Sequence, residues 1–197
     1  MKSFVHPTAL VEDGVEIGIN TAIWDNVHIR APSSIGSECI IGEKTYIAYG
    51  VDIGDRVKVN AHVYICTGVT IEMGVMVSAG TIFTNDRTPR ATTPDLLQLL
   101  PSEPDDSTGR TLVRHGSTIG AGAIIGPGLT IGPFAMIGMG SVLTRSIGEQ
   151  VLVAGNPARP LGFVCRCGRR LADEASPTCS ECGRSYVVEN ERISGTD

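Results

Sequence analysis

The sequence predicts an all-β fold: a left-handed parallel β-helix of hexapeptide repeats with one extruded loop and a small C-terminal zinc-ribbon-like appendage. Three observations carry that expectation. Val or Ile occupies every sixth position from Val5 to Val77, a proline-rich stretch then interrupts the series, and four cysteines gather beyond its end.

The series runs Val5, Val11, Ile17, Ile23, Ile29, Ile35, Ile41, Ile47, Ile53, Val59, Ile65, Ile71, Val77 and resumes at Val113, Ile119, Ile125, Ile131, Ile137 and Leu143. Val and Ile make up 37 of 197 residues, so chance would produce the first thirteen with a probability on the order of 10⁻⁹. Four residues after each aliphatic stands a small or β-branched residue, from Thr21, Val27, Ser33 and Cys39 on to Thr81. Directly after the aliphatic there is often a glycine, as at Gly18, Gly36, Gly42 and Gly54. No helix has a period of six. Short strands separated by corners do, with the aliphatic and the small residue inward and the glycine relieving the corner. Three hexads close a triangular coil of 18 residues, and stacked coils set like side chains in columns about 4.8 Å apart. The nineteen hexads amount to about six coils. Such coils wind left-handed, against the usual right-handed crossover.

Composition agrees with one medium domain and a small appendage. The chain has 42% hydrophobic, 19% charged and only 5% aromatic residues, with 24 glycines, which argues against a helical bundle and against disorder. A net charge of -5 gives no general attraction for nucleic acid or anionic membranes, and no apolar run is long enough for a membrane span. The N-terminal stretch lacks an apolar signal region, so a cytoplasmic protein is expected, with cysteines as thiols or metal ligands rather than disulfides.

The interruption, residues 84–110, holds four prolines, an acidic patch and one apolar run, Leu96 to Leu100. A loop of this length inside a regular solenoid points to function. After Leu143 the repeat decays, and Val151 to Phe163 is expected to end the prism. The domain thus spans 1–163, and 164–188 forms the appendage. Its Cys165, Cys167, Cys179 and Cys182 follow C-x-C-x11-C-x2-C, a four-thiolate pattern that closes a zinc shell and so makes the metal structural. Redox or free thiols are the other possibility. Residues 189–197 are expected to be disordered. Cys39 should be a buried inward thiol, and Cys66 has no assigned role.

Column arithmetic selects outward residues. Steps of 18 from His28 give Tyr46, Tyr64 and Ile82; steps back from Asn85 give Thr67, Tyr49 and Ala31. His28, Tyr46 and Tyr64 would line one wall beneath the loop, as a substrate groove or as a contact between copies.

Four segments resemble a known family: IWDNVHI (Ile23–Ile29), TIFTNDRTPRA (Thr81–Ala91), TLVRHGSTIGAGAII (Thr111–Ile125) and AGNPARPLGFVCRCG (Ala154–Gly168). In this order they are similar to the hexapeptide-repeat acyltransferases, above all to bacterial N-acetyltransferases of UDP-2-acetamido-3-amino-2,3-dideoxy-glucuronate and of dTDP-3-amino sugars. The resemblance covers about residues 1–168. It implies acetyl-CoA as co-substrate, a nucleotide-linked amino sugar as acceptor, a role in surface polysaccharide (lipopolysaccharide) biosynthesis, and a homotrimer with active sites between prisms. It also implies that Asn85 positions the sugar amine, which needs no protein base. Outward coil histidines serve as general bases in several hexapeptide acyltransferases, which makes His62 the candidate base. The match around His28 favours a binding role. Asp86 and Arg90 belong to the loop motif; Arg90 could meet a phosphate or sugar carboxylate, or pin the loop to Asp86. Arg159 could meet a coenzyme A phosphate or merely end the prism. The chain departs from the family at Arg87, Thr88 and Pro89, where an aromatic is common, and at Arg114-His115-Gly116, where Lys-Lys-Gly or Lys-Arg-Gly is common; both bear on which sugar is used.

Rival classes make other demands. A γ-class carbonic anhydrase needs three zinc-binding histidines, two of them five residues apart, and the histidines here are His6, His28, His62 and His115. An O-acyltransferase needs a strong general base, and a non-catalytic scaffold has no use for the intact loop motif.

Overall fold

The computed structural model describes residues 2–190 and 192–195, and every regular element among them is a β-strand. Strands of two or three residues follow at six-residue steps and pair in parallel with the strand 18 residues on, Val5 with Ile23, Ile23 with Ile41 and Val59 with Val77, an interval that grows to 42 where the pairing spans the loop, as in Ile71 with Val113. Three ladders result. Sheet A starts at Phe4–Val5 and has nine strands, sheet B starts at Leu10–Val11 and has seven, and sheet C starts at Glu16–Ile17 and has six. The chain is therefore a parallel β-solenoid of stacked three-sided coils.

Both inward registers are buried. Ile23, Ile29, Ile41, Ile47, Ile65, Ile119, Ile125 and Ile131 are fully enclosed, as are Thr21, Val27, Cys39, Val51, Val57 and Thr81. Each such aliphatic contributes about 1.5–3 kcal/mol by leaving water. The inward hydroxyls find carbonyls on the neighbouring coil: Thr21 Oγ1 donates to Gly36 O at 2.7 Å and Thr45 Oγ1 to Asn60 O at 3.0 Å. Phe83 takes the next step of the series after Val77 and is equally buried, so the column runs on through an aromatic.

The glycine after each aliphatic has a different cause from the one expected. It does not turn the corner. A Cβ on Gly36 would lie 2.5 Å from the Gly54 carbonyl carbon, so consecutive coils approach too closely there for any side chain. The left-handed corner residue comes two positions later and is frequently not glycine, as at Asn20, Glu38, Arg56 and His62.

The solenoid also extends further than expected. Ile147 bridges Ile131 in parallel, and Leu152 and Val153 pair with Met136 and Ile137, so a further coil follows Leu143. Its corner is short, which moves Ile147 out of six-residue phase. Val151–Gly155 then turns back on Ala158–Phe163, the antiparallel edge strand of sheet A. Tyr186–Glu189 and Arg192–Gly195 form a final hairpin, where disorder was expected from 189 onward; buried Tyr186 and Ile193 anchor it. Residues 191, 196 and 197 lie outside the described residues.

Residues 84–110 leave and re-enter at one corner between sheets B and C. Thr84 N–H bonds Ile125 O, Gly109 N–H bonds Asn85 O, and Thr111 N–H bonds Gly68 O. A small hairpin, bridged between Thr92 and Leu99, projects from the loop.

Candidate functional site

The expected outward column forms on sheet B. Tyr46 pairs with His28 and Tyr64 with Tyr46, and Ile82 follows above. The His28 ring meets Tyr46 edge-on at 5.3 Å, and Tyr46 stacks on Tyr64 at 5.4 Å. Such pairs add about 0.5–1.5 kcal/mol each beyond burial.

One corner on, Tyr49, Thr67 and Asn85 line a shared cleft, with Asn85 Nδ2 donating to Thr67 O at 3.3 Å. Arg30 joins the two columns. Its Nε bonds Glu12 Oε1 at 2.9 Å, and its guanidinium lies 5.5 Å from the centre of the Tyr49 ring. Tyr46 and Glu12 strengthen its hold on its proton. The Ala31 N–H, with help from His28 and Arg30, holds the Glu12 carboxyl below the usual carboxylate range despite some desolvation. Arg30 and Glu12 escape sequence reasoning. Their signal was an opposite-charge pair 18 residues apart, which the coil period turns into direct neighbours.

The loop folds back over this corner. Between its far limb, Pro101–Thr108, and the Tyr49 column lies an open cleft of about 280 Å³ whose walls include Asn85, Asp86, Arg90, Glu103 and Asp105. A recess of about 360 Å³ continues past Tyr49 and Thr67 to Arg110. Asp86 Oδ1 accepts the Thr88 N–H at 2.7 Å and shapes the loop entry. Arg90 makes no ion pair among the described residues, with Asp86 or any other group; its Nη1 donates to Pro89 O. The structure thus brings Asn85, Asp86 and Arg90 together. His28, Tyr46 and Tyr64 stand beside the cleft on sheet B, linked to it through Arg30.

His62 occupies the opposite edge of sheet B. It is exposed, in the left-handed conformation (φ 58°), at the corner between sheets A and B. Five residues separate it from Thr67, over which Asn85 sits; at about 3.3 Å per residue that is roughly 15 Å. His62 and Asn85 therefore do not meet within one chain. Above His62 the corner continues as Gly80, Gly122 and Gly140, and a Cβ on Gly122 or Gly140 would meet nothing within 4 Å, so the corner is open at these two positions. Beside it, Trp24, Ile40, Ala61 and Ala79 line a shallow cleft of about 330 Å³.

His115 packs elsewhere: its Nδ1 lies 3.1 Å from Glu72 Oε2, and its ring is edge-on to Phe134. Arg159 lies at the last coil, where it lines a cleft of about 270 Å³ with Arg145, a second cation absent from the sequence-based expectations.

The four cysteines converge. All four sulfurs lie within 4.8 Å of one another, with Cys165–Cys182 at 3.4 Å and Cys167–Cys179 at 3.6 Å. A tetrahedral zinc–thiolate shell with Zn–S near 2.3 Å requires sulfurs about 3.8 Å apart, so the set fits such an ion. Each cysteine pair forms a knuckle: Gly168 N–H bonds Cys165 O, and Gly183 N–H bonds Cys179 O. The Arg184 N–H and the Cys165 thiol lower Cys182 to about 6, and the N–H groups of Cys182 and Glu181 lower Cys179. Cys167 receives the Arg169 N–H yet rises to about 12, through desolvation and three crowding sulfurs. A cation among sulfurs so crowded would favour their ionised forms.

A family profile described as "Bacterial transferase hexapeptide (six repeats)" matches residues 14–49, and one described as "Hexapeptide repeat of succinyl-transferase" matches residues 115–145. The dTDP-3-amino-3,6-dideoxy-alpha-D-galactopyranose 3-N-acetyltransferase of Aneurinibacillus thermoaerophilus is 42% identical over 97% of this chain and 94% of the relative. Among solved structures, AntD, an N-acyltransferase from Bacillus cereus in complex with dTDP and 3-hydroxybutyryl-CoA, superposes with a TM-score of 0.55 at 22% identity, covering 84% of this chain and 81% of that one. The acetyltransferase domain of PglB from Neisseria gonorrhoeae, in complex with acetyl coenzyme A, superposes at 0.53 and 21% identity, covering 81% and 57%. These two likenesses bear on the fold, whereas the 42% identity along nearly the whole chain bears on kinship. The chain belongs to the hexapeptide-repeat N-acetyltransferases that act on nucleotide-linked amino sugars.

Proposed function

We propose that this chain transfers an acetyl group from acetyl-CoA to the amino group at C3 of a nucleotide-linked amino sugar. The observation that carries this reading is Asn85, seated at the loop root on the floor of the cleft between the Tyr49 column and the folded-back loop. Thioester aminolysis needs a neutral amine held against the carbonyl and a stabilised oxyanion. Asn85 orients the amine. Asp86, Glu103 and Asp105 give the cleft an acidic wall that binds the sugar's ammonium form; the ammonium passes its proton to solvent water, the neutral amine attacks the thioester carbonyl, and the C–S bond breaks to release coenzyme A as its thiol. Arg90, without an ion-pair partner among the described residues, is free for a phosphate or sugar carboxylate, and His28, Tyr46 and Tyr64 extend the surface for the nucleotide. Arg145 and Arg159 suit the phosphates of coenzyme A.

A homotrimer of left-handed prisms completes the site. In a closed heterologous ring the His62 edge of one protomer faces the Asn85 corner of the next, and the open Gly80–Gly122–Gly140 edge leaves room for an acyl chain. The exposed Leu96, Leu97 and Leu99 of the loop hairpin and the Tyr64 column are apolar surfaces that a neighbouring copy would cover. Residues 1–163 form the transferase domain, and 164–188 form a module closed by structural zinc, to which the last hairpin adds. A need for acetyl-CoA and a nucleotide sugar, both made in the cytoplasm, supports a cytoplasmic enzyme whose product feeds surface polysaccharide synthesis. Among the described residues, no helix is long and apolar enough to cross a membrane.

The test is acceptor-dependent thiol release from acetyl-CoA, with UDP- and dTDP-linked 3-amino sugars set beside their 4-amino and hydroxyl analogues. Release with a 3-amino sugar alone is expected and names the nucleotide. Release with a hydroxyl acceptor, or none with any acceptor, overturns the reading.

A further inference from the structure

The strand Ala158–Phe163 is the edge of sheet A, and only one of its sides is covered by the solenoid. The cysteine module covers part of the other. Arg170 Nη2 donates to Leu161 O at 2.8 Å, and Leu171 N–H bonds Phe163 O. At the end of the strand, Val164 is held twice by Gln150, a fully buried residue of the last coil: Val164 N–H bonds Gln150 O, and Gln150 Nε2 donates to Val164 O at 2.8 Å. Arg166, between two of the cysteines, lies 5.2 Å from the Phe134 ring centre and pairs with Glu149.

The module has little else to hold it together. Its apolar cluster consists of Cys165, Leu171, Cys179, Tyr186 and Ile193, so two of those five are cysteines of the sulfur site. A core of that size does not fold alone; such small units rely on a metal or disulfides. The buried Tyr186 hydroxyl lies 3.1 Å from Cys165 Sγ and accepts the Arg166 N–H, orienting one ligand from outside the shell. The same edge strand supplies Ala158, Arg159 and Pro160 to the wall of the Arg145 cleft.

We infer that a thiophilic divalent metal held by Cys165, Cys167, Cys179 and Cys182 clamps the strand Ala158–Phe163, and through it the Arg159 wall of the coenzyme A cleft, leaving the amino-sugar cleft untouched. The assignment of that cleft to coenzyme A rests on the proposed function; the clamp does not.

The experiment uses the full-length protein purified with zinc. Native mass spectrometry counts the metal. Amide hydrogen exchange over 158–163, coenzyme A affinity by calorimetry and both Michaelis constants are then compared before and after metal removal with a chelator. One zinc per chain is expected. Its removal speeds exchange over 158–163 and weakens coenzyme A binding about tenfold or more, while the KM for the amino sugar moves less than about twofold. Cys182→Ser, which removes one ligand, is expected to reproduce both effects; should it fail to fold, Arg170→Ala, which keeps all four ligands and removes the bond to Leu161 O, must reproduce the faster exchange in part. Absence of stoichiometric metal, unchanged exchange over 158–163 after its removal, or equal losses for both substrates overturns the inference. A metal-dependent strand in a protein that acetylates no amino sugar refutes the proposed function and leaves the clamp standing.

Discussion

Asn85 Nδ2 is committed to Thr67 O, so the side chain arrives in the cleft with its carboxamide already oriented. Replacing it with alanine removes the group proposed to align the amine. The Asn85→Ala variant is expected to lose about 10²–10³ in kcat with the acetyl-CoA KM within about twofold, read by thiol release. His62 stands roughly 15 Å away along its own chain, and an amine nucleophile needs no strong base. His62→Asn, which keeps the left-handed corner comfortable, is expected to cost less than about tenfold; a loss above about 10² assigns proton removal to this imidazole instead. Glu12 supplies a pH signature. Its folded carboxyl is held below the ordinary value, so it adds stability that is present above about pH 4.3 and lost as pH falls through its folded value. Thermal melts should show wild type ahead of Glu12→Gln near neutral pH, with the gap closing on acidification.

At the scale of strands and corners, the six-residue period was legible because it is repeated nineteen times and because every inward place accepts only a narrow range of shapes. The cause of the post-aliphatic glycines was not legible, since close approach between coils and a left-handed corner both select glycine. The two now separate experimentally. Gly36→Ala should lower stability by about 1–3 kcal/mol, because the Gly54 backbone stands in the way, and calorimetry should show a Tm lower by several degrees. Gly122→Asn, at an open left-handed corner, should be nearly neutral in the same measurement. The coil after Leu143 was hidden by its shortened corner, which displaces Ile147 from phase while keeping it paired to Ile131. Of the site, the Asn85 and His28 columns could be written down from the number 18 alone. The acidic far wall could not, because the return path of a proline-rich loop has no period to read.

For the whole molecule, the proposed trimer sets the Asn85 cleft of one chain against the open His62 edge of the next. Native mass spectrometry is expected to find three chains of 20.7 kDa, and substitution of Tyr64 by glutamate should shift the mass toward one chain and abolish activity together. The loop raises a different matter. It departs at Thr84 and rejoins at Thr111, both of which are bonded into neighbouring coils as though nothing intervened. The coil path closes at both ends of that gap, with Arg87 Nη2 to Pro127 O as a further bond from the loop to the solenoid. Residues 86–108 are expected to act as a cassette: exchange for a relative's loop should leave the melting temperature nearly intact while changing which sugar is accepted. Acceptor choice in such chains can then diversify without renegotiating the fold.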